Sequence, residues 1–113
     1  MWLHKLSQAL KLDEAFDQDW GICNSDSKRV QEFIAFFKSN IVEHPWETEA
    51  LAELIFQSMN DAIEENELTE DLVTHFKSFV KSNSKTFPMN MKYWCSLLGN
   101  QEFPVAEMIK ECS

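Results

Sequence analysis

Apolar residues recur at intervals of three and four along almost the whole chain, and this spacing is the strongest constraint on its fold. The clearest case is Val30, Phe33, Ile34, Phe37 and Ile41, which together form one apolar stripe along a helix. No stretch alternates apolar and polar residues for long enough to predict a β-strand. Two glycines and three prolines in 113 residues also disfavour turn-rich β structure. We therefore predict an all-α fold.

The order of the stripes predicts one compact domain over residues 1–113, built as a bundle of five or six short helices. The helices are expected within the following segments: 2–10, 30–41, 45–63, 70–80, 88–98 and 104–112. The polar segment 17–27 is expected to be a loop.

Several residues predict where the helices begin and end. Pro45 and Pro104 suit the first turn of a helix, where a missing N–H group has no effect. Thr69 is a suitable N-cap, and Asn66 is expected to help end the helix before it. Gly99 is expected to end the helix that contains Leu98.

The chain has a formal net charge of −9, and its charged residues are distributed very unevenly along the sequence. Residues 39–76 contain no Lys or Arg, whereas residues 77–101 contain four Lys and no acid. A negative chain disfavours nucleic acid or an anionic membrane as a direct partner. The first of these segments contains ten acids: Glu43, Glu47, Glu49, Glu53, Asp61, Glu64, Glu65, Glu67, Glu70 and Asp71.

The helix predicted over residues 45–63 is expected to carry a polar ridge opposite its apolar stripe. Its members are Glu49, Glu53, Gln57, Asn60 or Asp61, and Glu64. Like charges four residues apart destabilise a helix by roughly 0.2–0.5 kcal/mol per pair, so attraction to a basic partner would explain the ridge. A solvated face that only aids solubility is the alternative. Charge reversal at residues 49, 53 and 64 is expected to leave the fold intact.

No set of residues in the sequence indicates catalysis. The three histidines and three cysteines have no metal-ligand spacing, and there is no glycine-rich phosphate loop or nucleophile elbow. The acidic segment 64–71 lacks the central glycine of a calcium loop. We expect reduced thiols, no cofactor, no metal and no enzymatic activity. The one catalytic alternative left open is a pair formed in space by Cys23 or Cys95 with His44 or His75.

Two tryptophans lie among carboxylates. Trp20 is part of the segment Asp17-Gln18-Asp19-Trp20-Gly21, and Trp46 precedes Glu47. A tryptophan with an acidic rim is typical of an interface anchor. The alternative is that each tryptophan covers one end of the core.

A small, acidic, all-α chain without a catalytic set resembles the immunity proteins that neutralise bacterial toxins. The likeness is greatest to the all-α immunity proteins of contact-dependent growth inhibition systems, and more distant to those of nuclease colicins. It is carried by the acidic helix and turn, segments 47–53 and 61–67, and by segment 17–21. The resemblance implies that the protein binds a basic toxin domain, often a nuclease, in a one-to-one complex. It also implies that binding occludes the active site or the substrate surface of the toxin.

The expected partner-binding residues are acids and the two tryptophans: Asp17, Asp19, Trp20, Trp46, Glu49, Glu53, Asp61, Glu64, Glu65, Glu67, Glu70 and Asp71. No small-molecule substrate is expected. The first residues lack the apolar segment of a secretory signal, which favours a cytoplasmic location. An acidic helical adaptor or regulatory subunit of a larger bacterial complex is the alternative from another class. An acidic nucleic-acid mimic is a third possibility.

Overall fold

The structure, a computed structural model, describes residues 7–11, 20, 24–39 and 45–112; for residues 45 and 46 it describes the backbone alone. All regular elements in these ranges are helical, which confirms the all-α prediction. The elements are α1 (Val30–Ser39), α2 (Pro45–Glu64), α3 (Glu70–Asn83), a 3-10 helix (Ser84–Thr86), α4 (Pro88–Cys95) and α5 (Val105–Glu111).

The segment before α1 differs from the loop predicted over residues 17–27. Residues 7–10 are helical, as expected, but Trp20 and Asn24 are helical as well. The Asn24 side chain donates a hydrogen bond to the Trp20 carbonyl at 2.9 Å. The loop prediction is therefore wrong at these two residues, because burial of Trp20 outweighs the polar composition around it.

The predicted residues at the end of α2 and at the beginning of α3 are confirmed, whereas α3 continues to Asn83, three residues beyond the predicted segment. Asn66 has a φ of 58°, and the N–H group of Glu67 donates to the Ala62 carbonyl at 2.8 Å, which is the arrangement of a Schellman motif. Thr69 caps α3, since its hydroxyl oxygen accepts from the N–H group of Leu72 at 3.1 Å. Each of these contacts joins residues that are close in sequence, so the types of the local residues were enough to predict these helix ends.

The end of α4 is three residues earlier than predicted. The helix ends at Cys95, and the following residues form tighter turns in which the N–H group of Leu97 donates to the Trp94 carbonyl at 3.0 Å. Leu98 is consequently exposed rather than part of a buried stripe. Gly99, with a φ of 85°, lies in this series of turns and not directly after the helix.

The helix at the centre of the fold is α2. It contacts α1, α4, α5 and the 3-10 helix. All seven residues from Leu54 to Asn60 are buried, and seven residues make almost two helical turns. Every side of this stretch is therefore covered by protein, and the prediction that its polar residues lie on a solvated face is wrong there.

Phe56 of α2 lies at the centre of an aromatic cluster. Its ring packs edge-on against four others, Phe76, Phe79, Phe87 and Trp94, with centroid separations from 5.5 to 6.4 Å. Such edge-to-face pairs stabilise a core beyond the burial of apolar area alone. The cluster connects α2 to α3, to α4 and to the chain between them.

We expect the substitution Phe56→Ala to lower the free energy of unfolding by about 3–5 kcal/mol, because it leaves a cavity at the centre of the ring cluster. The matched control is Tyr93→Ala, which removes a half-exposed aromatic ring and should cost about 1 kcal/mol. Urea unfolding of the two variants gives the comparison. Equal losses would contradict the central role of Phe56.

Candidate partner-binding surface

The Glu49 carboxylate is a structural group and not a free charge. Its two oxygens accept hydrogen bonds from the N–H groups of Met89 at 2.8 Å and Asn90 at 3.0 Å. The first N–H groups of a helix have no partner within the helix, so Glu49 caps α4 from a distant part of the chain. The Asn90 side chain also donates to Glu49, to its carbonyl at 2.7 Å and to its carboxylate at 2.6 Å.

Asn60 caps the beginning of α5 in a similar way. Its side-chain oxygen accepts from the N–H group of Val105 at 3.1 Å, and its amide group donates to the Glu102 carbonyl at 3.1 Å. Asn60 is buried, as is Gln57 one turn earlier. The expected acidic ridge along α2 is thus interrupted in its middle.

The other expected acids of α2 are also partly engaged. Asp61 accepts a hydrogen bond from the Ser25 hydroxyl at 2.6 Å, and the neighbouring Ser58 hydroxyl accepts from the N–H group of Asp26 at 3.0 Å. Glu53 is half-buried and interacts with another residue. The expectation that residues 49, 53 and 64 tolerate charge reversal is therefore corrected: reversal at Glu49 would place a cation against the N-terminus of α4.

The acids that remain exposed are concentrated between α2 and α3. We call residues 64–71 the acidic turn; all eight are exposed, and five are acids: Glu64, Glu65, Glu67, Glu70 and Asp71. None of these five forms an ion pair with a Lys or Arg among the described residues. Leu68, 38% exposed, lies between these acids in the sequence. The acidic turn thus combines a strong local negative charge with one apolar side chain.

Trp20, one of the two expected tryptophan anchors, is buried in the core. Trp20 is only 1% exposed, and its indole N–H group donates to the Ser7 hydroxyl at 2.8 Å. This burial supports the interpretation that Trp20 covers one end of the core. Asp17, Asp19 and the side chain of Trp46 lie outside the described residues.

A second exposed surface lies near the other end of α2. We call Met89, Lys92 and Tyr93 the α4 face, because these residues are three and four apart on one side of that helix. Met89 is 60% exposed and Tyr93 is 52% exposed. Glu49 caps the beginning of this helix. Glu64 lies 15 positions further along α2, so about 22 Å of helix separates Glu49 from the acidic turn. The α4 face was not predicted from the sequence, because the apolar spacing of α4 does not tell which side is covered.

Two ion pairs between described residues involve charges outside the acidic turn. Arg29 pairs with Glu32 at 2.6 Å and also donates to the Leu10 carbonyl at 2.7 Å, which joins α1 to residues 7–10. The hydrogen bond between their side chains raises the pKa of Arg29 and lowers the pKa of Glu32. Lys77 of α3 pairs with Glu111 of α5 at 3.2 Å.

Of the four residues considered for a catalytic pair, Cys95 and His75 are described, whereas Cys23 and His44 lie outside the described residues. The Cys95 thiol is half-buried, the His75 imidazole is exposed, and the two make no hydrogen bond to each other. Burial raises the pKa of the Cys112 thiol, which disfavours the nucleophilic thiolate. In the ranges that the structure covers, no three His, Cys, Asp or Glu side chains form a potential metal site. No helix within those ranges has the length and apolar character needed to cross a membrane.

Comparisons of this chain with protein families, curated proteins and solved structures return no match. The functional argument consequently rests on the two surfaces themselves, the acidic turn and the α4 face.

We expect Glu49→Gln to lower the free energy of unfolding by about 1–3 kcal/mol, because charge-assisted hydrogen bonds to the start of α4 are weakened. The matched control is Glu65→Gln, which removes the same charge from an exposed position and should change stability by about 0.5 kcal/mol or less. Chemical denaturation of both variants provides the measurement. If the two substitutions have equal effects, Glu49 is not the cap described above.

Proposed function

We propose that this protein binds a basic domain of a bacterial toxin and neutralises it, as immunity proteins do, and that the acidic turn is the binding surface. The toxin domain is often a nuclease in systems of this kind, and its active site or substrate surface would be covered in the complex. Summed charge on the acidic turn would steer a basic partner toward it and speed association.

The observation that carries this proposal is that acids lie at the C-terminal end of α2, which is the negative end of its dipole. The C-terminus of a helix is its negative end, where Lys or Arg is stabilising and a carboxylate is not. The last turn of α2 contains no basic residue, and Glu64 and Glu65 lie at its end. Five exposed acids within eight residues also repel one another. Glu70 and Asp71 suit the first turn of α3, so the unfavourable positions are those of Glu64 and Glu65, which a basic partner would stabilise.

Leu68 supports the same surface. Interfaces are usually apolar at their centre and polar at their rim. The acidic turn has this arrangement on a small scale, with an exposed leucine that lies in the sequence between Glu65, Glu67, Glu70 and Asp71. Leu68 takes the anchoring role that the sequence suggested for Trp20.

The alternative function is that of a helical adaptor or regulatory subunit, and the α4 face favours it. Met89 and Tyr93 are large apolar side chains that remain exposed next to each other on α4. Binding through such a face would depend mainly on apolar area and only weakly on salt. An acidic nucleic-acid mimic would use the acidic turn, so it differs from the main proposal only in the identity of its partner.

The test uses the product of the reading frame immediately upstream as the candidate toxin. We expect the double variant Glu65→Lys, Glu67→Lys to remain folded, because cations near the C-terminus of α2 suit its dipole. The same variant should lose several kcal/mol of binding free energy and fail to protect cells, because lysines then oppose the bases of the toxin. Thermal unfolding, binding at several salt concentrations and survival on co-expression are the three measurements.

The matched control is the double variant Gln101→Lys, Glu102→Lys, which adds three positive charges at exposed positions before α5, where neither side chain forms a hydrogen bond or ion pair with another described residue. It should keep both binding and protection. Loss of binding on Met89→Ala, Tyr93→Ala with normal binding by the acidic-turn variant would overturn the proposal in favour of the adaptor.

A further inference from the structure

A shallow groove lies beside the acidic turn, between the residues that precede and begin α1 and those that begin α3. Its volume is about 290 Å³. This is slightly below the range of about 300–1,000 Å³ that is usual for small-molecule pockets, and it suits a single protein side chain better. The lining residues are Ser27, Lys28, Val30, Gln31, Glu67, Thr69 and Leu72.

The lining of the groove combines two apolar residues with polar and charged ones. Val30 and Leu72 are buried and belong to the core. Ser27 is only 8% exposed, yet its hydroxyl makes no hydrogen bond within the part of the chain that the structure describes. In that same part, no fully buried side-chain oxygen or nitrogen lacks a partner, so this hydroxyl must be open to the groove. Ser27 is thus a largely buried residue whose hydroxyl oxygen remains accessible to a ligand.

The groove has one acidic and one basic lining residue, and further acids follow and precede the acidic one in sequence. Glu67 lines it directly, and Glu65, Glu70 and Asp71 are exposed nearby in sequence. Lys28 is the one cation among the lining residues, and it is exposed. An anionic ligand would therefore meet more repulsion than attraction in this groove.

We propose that the groove binds an arginine side chain of the basic partner, an inference that rests on the proposed function. The aliphatic part of arginine would pack on Val30 and Leu72, as the stems of long cationic side chains do on apolar surface. The planar guanidinium group donates two parallel hydrogen bonds to a carboxylate, here that of Glu67, and has further N–H groups for the Ser27 oxygen. Lysine offers a compact charge without this fork, so the groove prefers arginine.

The experiment is a titration followed by residue-resolved NMR of the full chain. The probes are acetyl-Gly-Arg-Gly-amide, the same peptide with Lys, and the same peptide with citrulline, which is the neutral isostere of arginine. Dissociation constants are expected in the millimolar range, so shifts at a fixed, subsaturating concentration are proportional to affinity. We expect the arginine peptide to shift the signals of Val30, Gln31 and Leu72, the lysine peptide to shift them less, and the citrulline peptide to leave them unchanged.

Three variants locate the binding groups. Ser27→Ala should reduce the shift by about threefold without changing the unfolding midpoint, because the hydroxyl has no partner to lose. Glu67→Gln should reduce it by about tenfold, because a charge-assisted hydrogen bond is weakened. Glu65→Gln removes the same charge from the same turn but does not line the groove, and should reduce the shift by less than about twofold.

The outcomes separate this inference from the proposed function. Two results would overturn the proposed binding of arginine in the groove. They are chemical shift changes confined to residues 64–71, and equal effects of Glu65→Gln and Glu67→Gln. Either result would leave the acidic turn as a surface for basic partners. A hexa-arginine peptide is the additional probe. If neither it nor the short arginine peptide shifts any signal from residues 64–71 or from the groove, both proposals fail.

Discussion

The polar side chains of α2 hold the beginnings of the elements around it, and the rest of the fold depends on these contacts. The start of a helix exposes N–H groups that have no partner within the helix, and burial of such groups without a partner is unfavourable. Glu49 accepts from the first turn of α4, and Asn60 accepts from the first turn of α5. Ser58 accepts from the N–H group of Asp26, shortly before α1. One buried helix therefore orients three neighbours by hydrogen bonds as well as by apolar packing.

This arrangement explains how a strongly acidic segment can lie at the centre of a small protein. A buried carboxylate or amide is tolerated when every polar atom is hydrogen-bonded. The acids of α2 are consequently of two kinds. Glu49 and Asp61 are held by hydrogen bonds from other parts of the chain, and Glu64 accepts one from Asn60 at 3.1 Å, whereas the other four carboxylates of the acidic turn are exposed. Only the second kind is available to a partner.

The two surfaces offer different physical modes of association. The acidic turn presents charge, which acts over a distance of about 8–10 Å at physiological salt and mainly raises the rate of association. The α4 face presents Met89 and Tyr93, which contribute only on contact. Their separation along α2 means that a change at one surface leaves the contacts of the other intact. Glu64 and Glu65 lie at the negative end of the α2 dipole, where a carboxylate is not stabilising, and this is why the acidic turn is the surface that we propose first.

Local sequence determined much of this protein. Apolar spacing predicted the helices, and the residues that end α2 and begin α3, Asn66 and Thr69, were readable because each acts on backbone groups within a few positions of itself. Composition likewise identified the concentration of acids between residues 39 and 76.

Only the tertiary structure decided which of those acids are free. Glu49 and Asn90 are 41 positions apart, and Asn60 and Val105 are 45 positions apart, so no local pattern indicates that they bond. The same holds for the burial of Trp20 beneath its hydrogen bond to Ser7 and for the groove at Ser27. Helical periodicity predicts one buried, apolar side of a helix. In α2, however, every side is buried over almost two turns. The partners of its polar residues are therefore set by how the helices pack, which is a property of the whole chain.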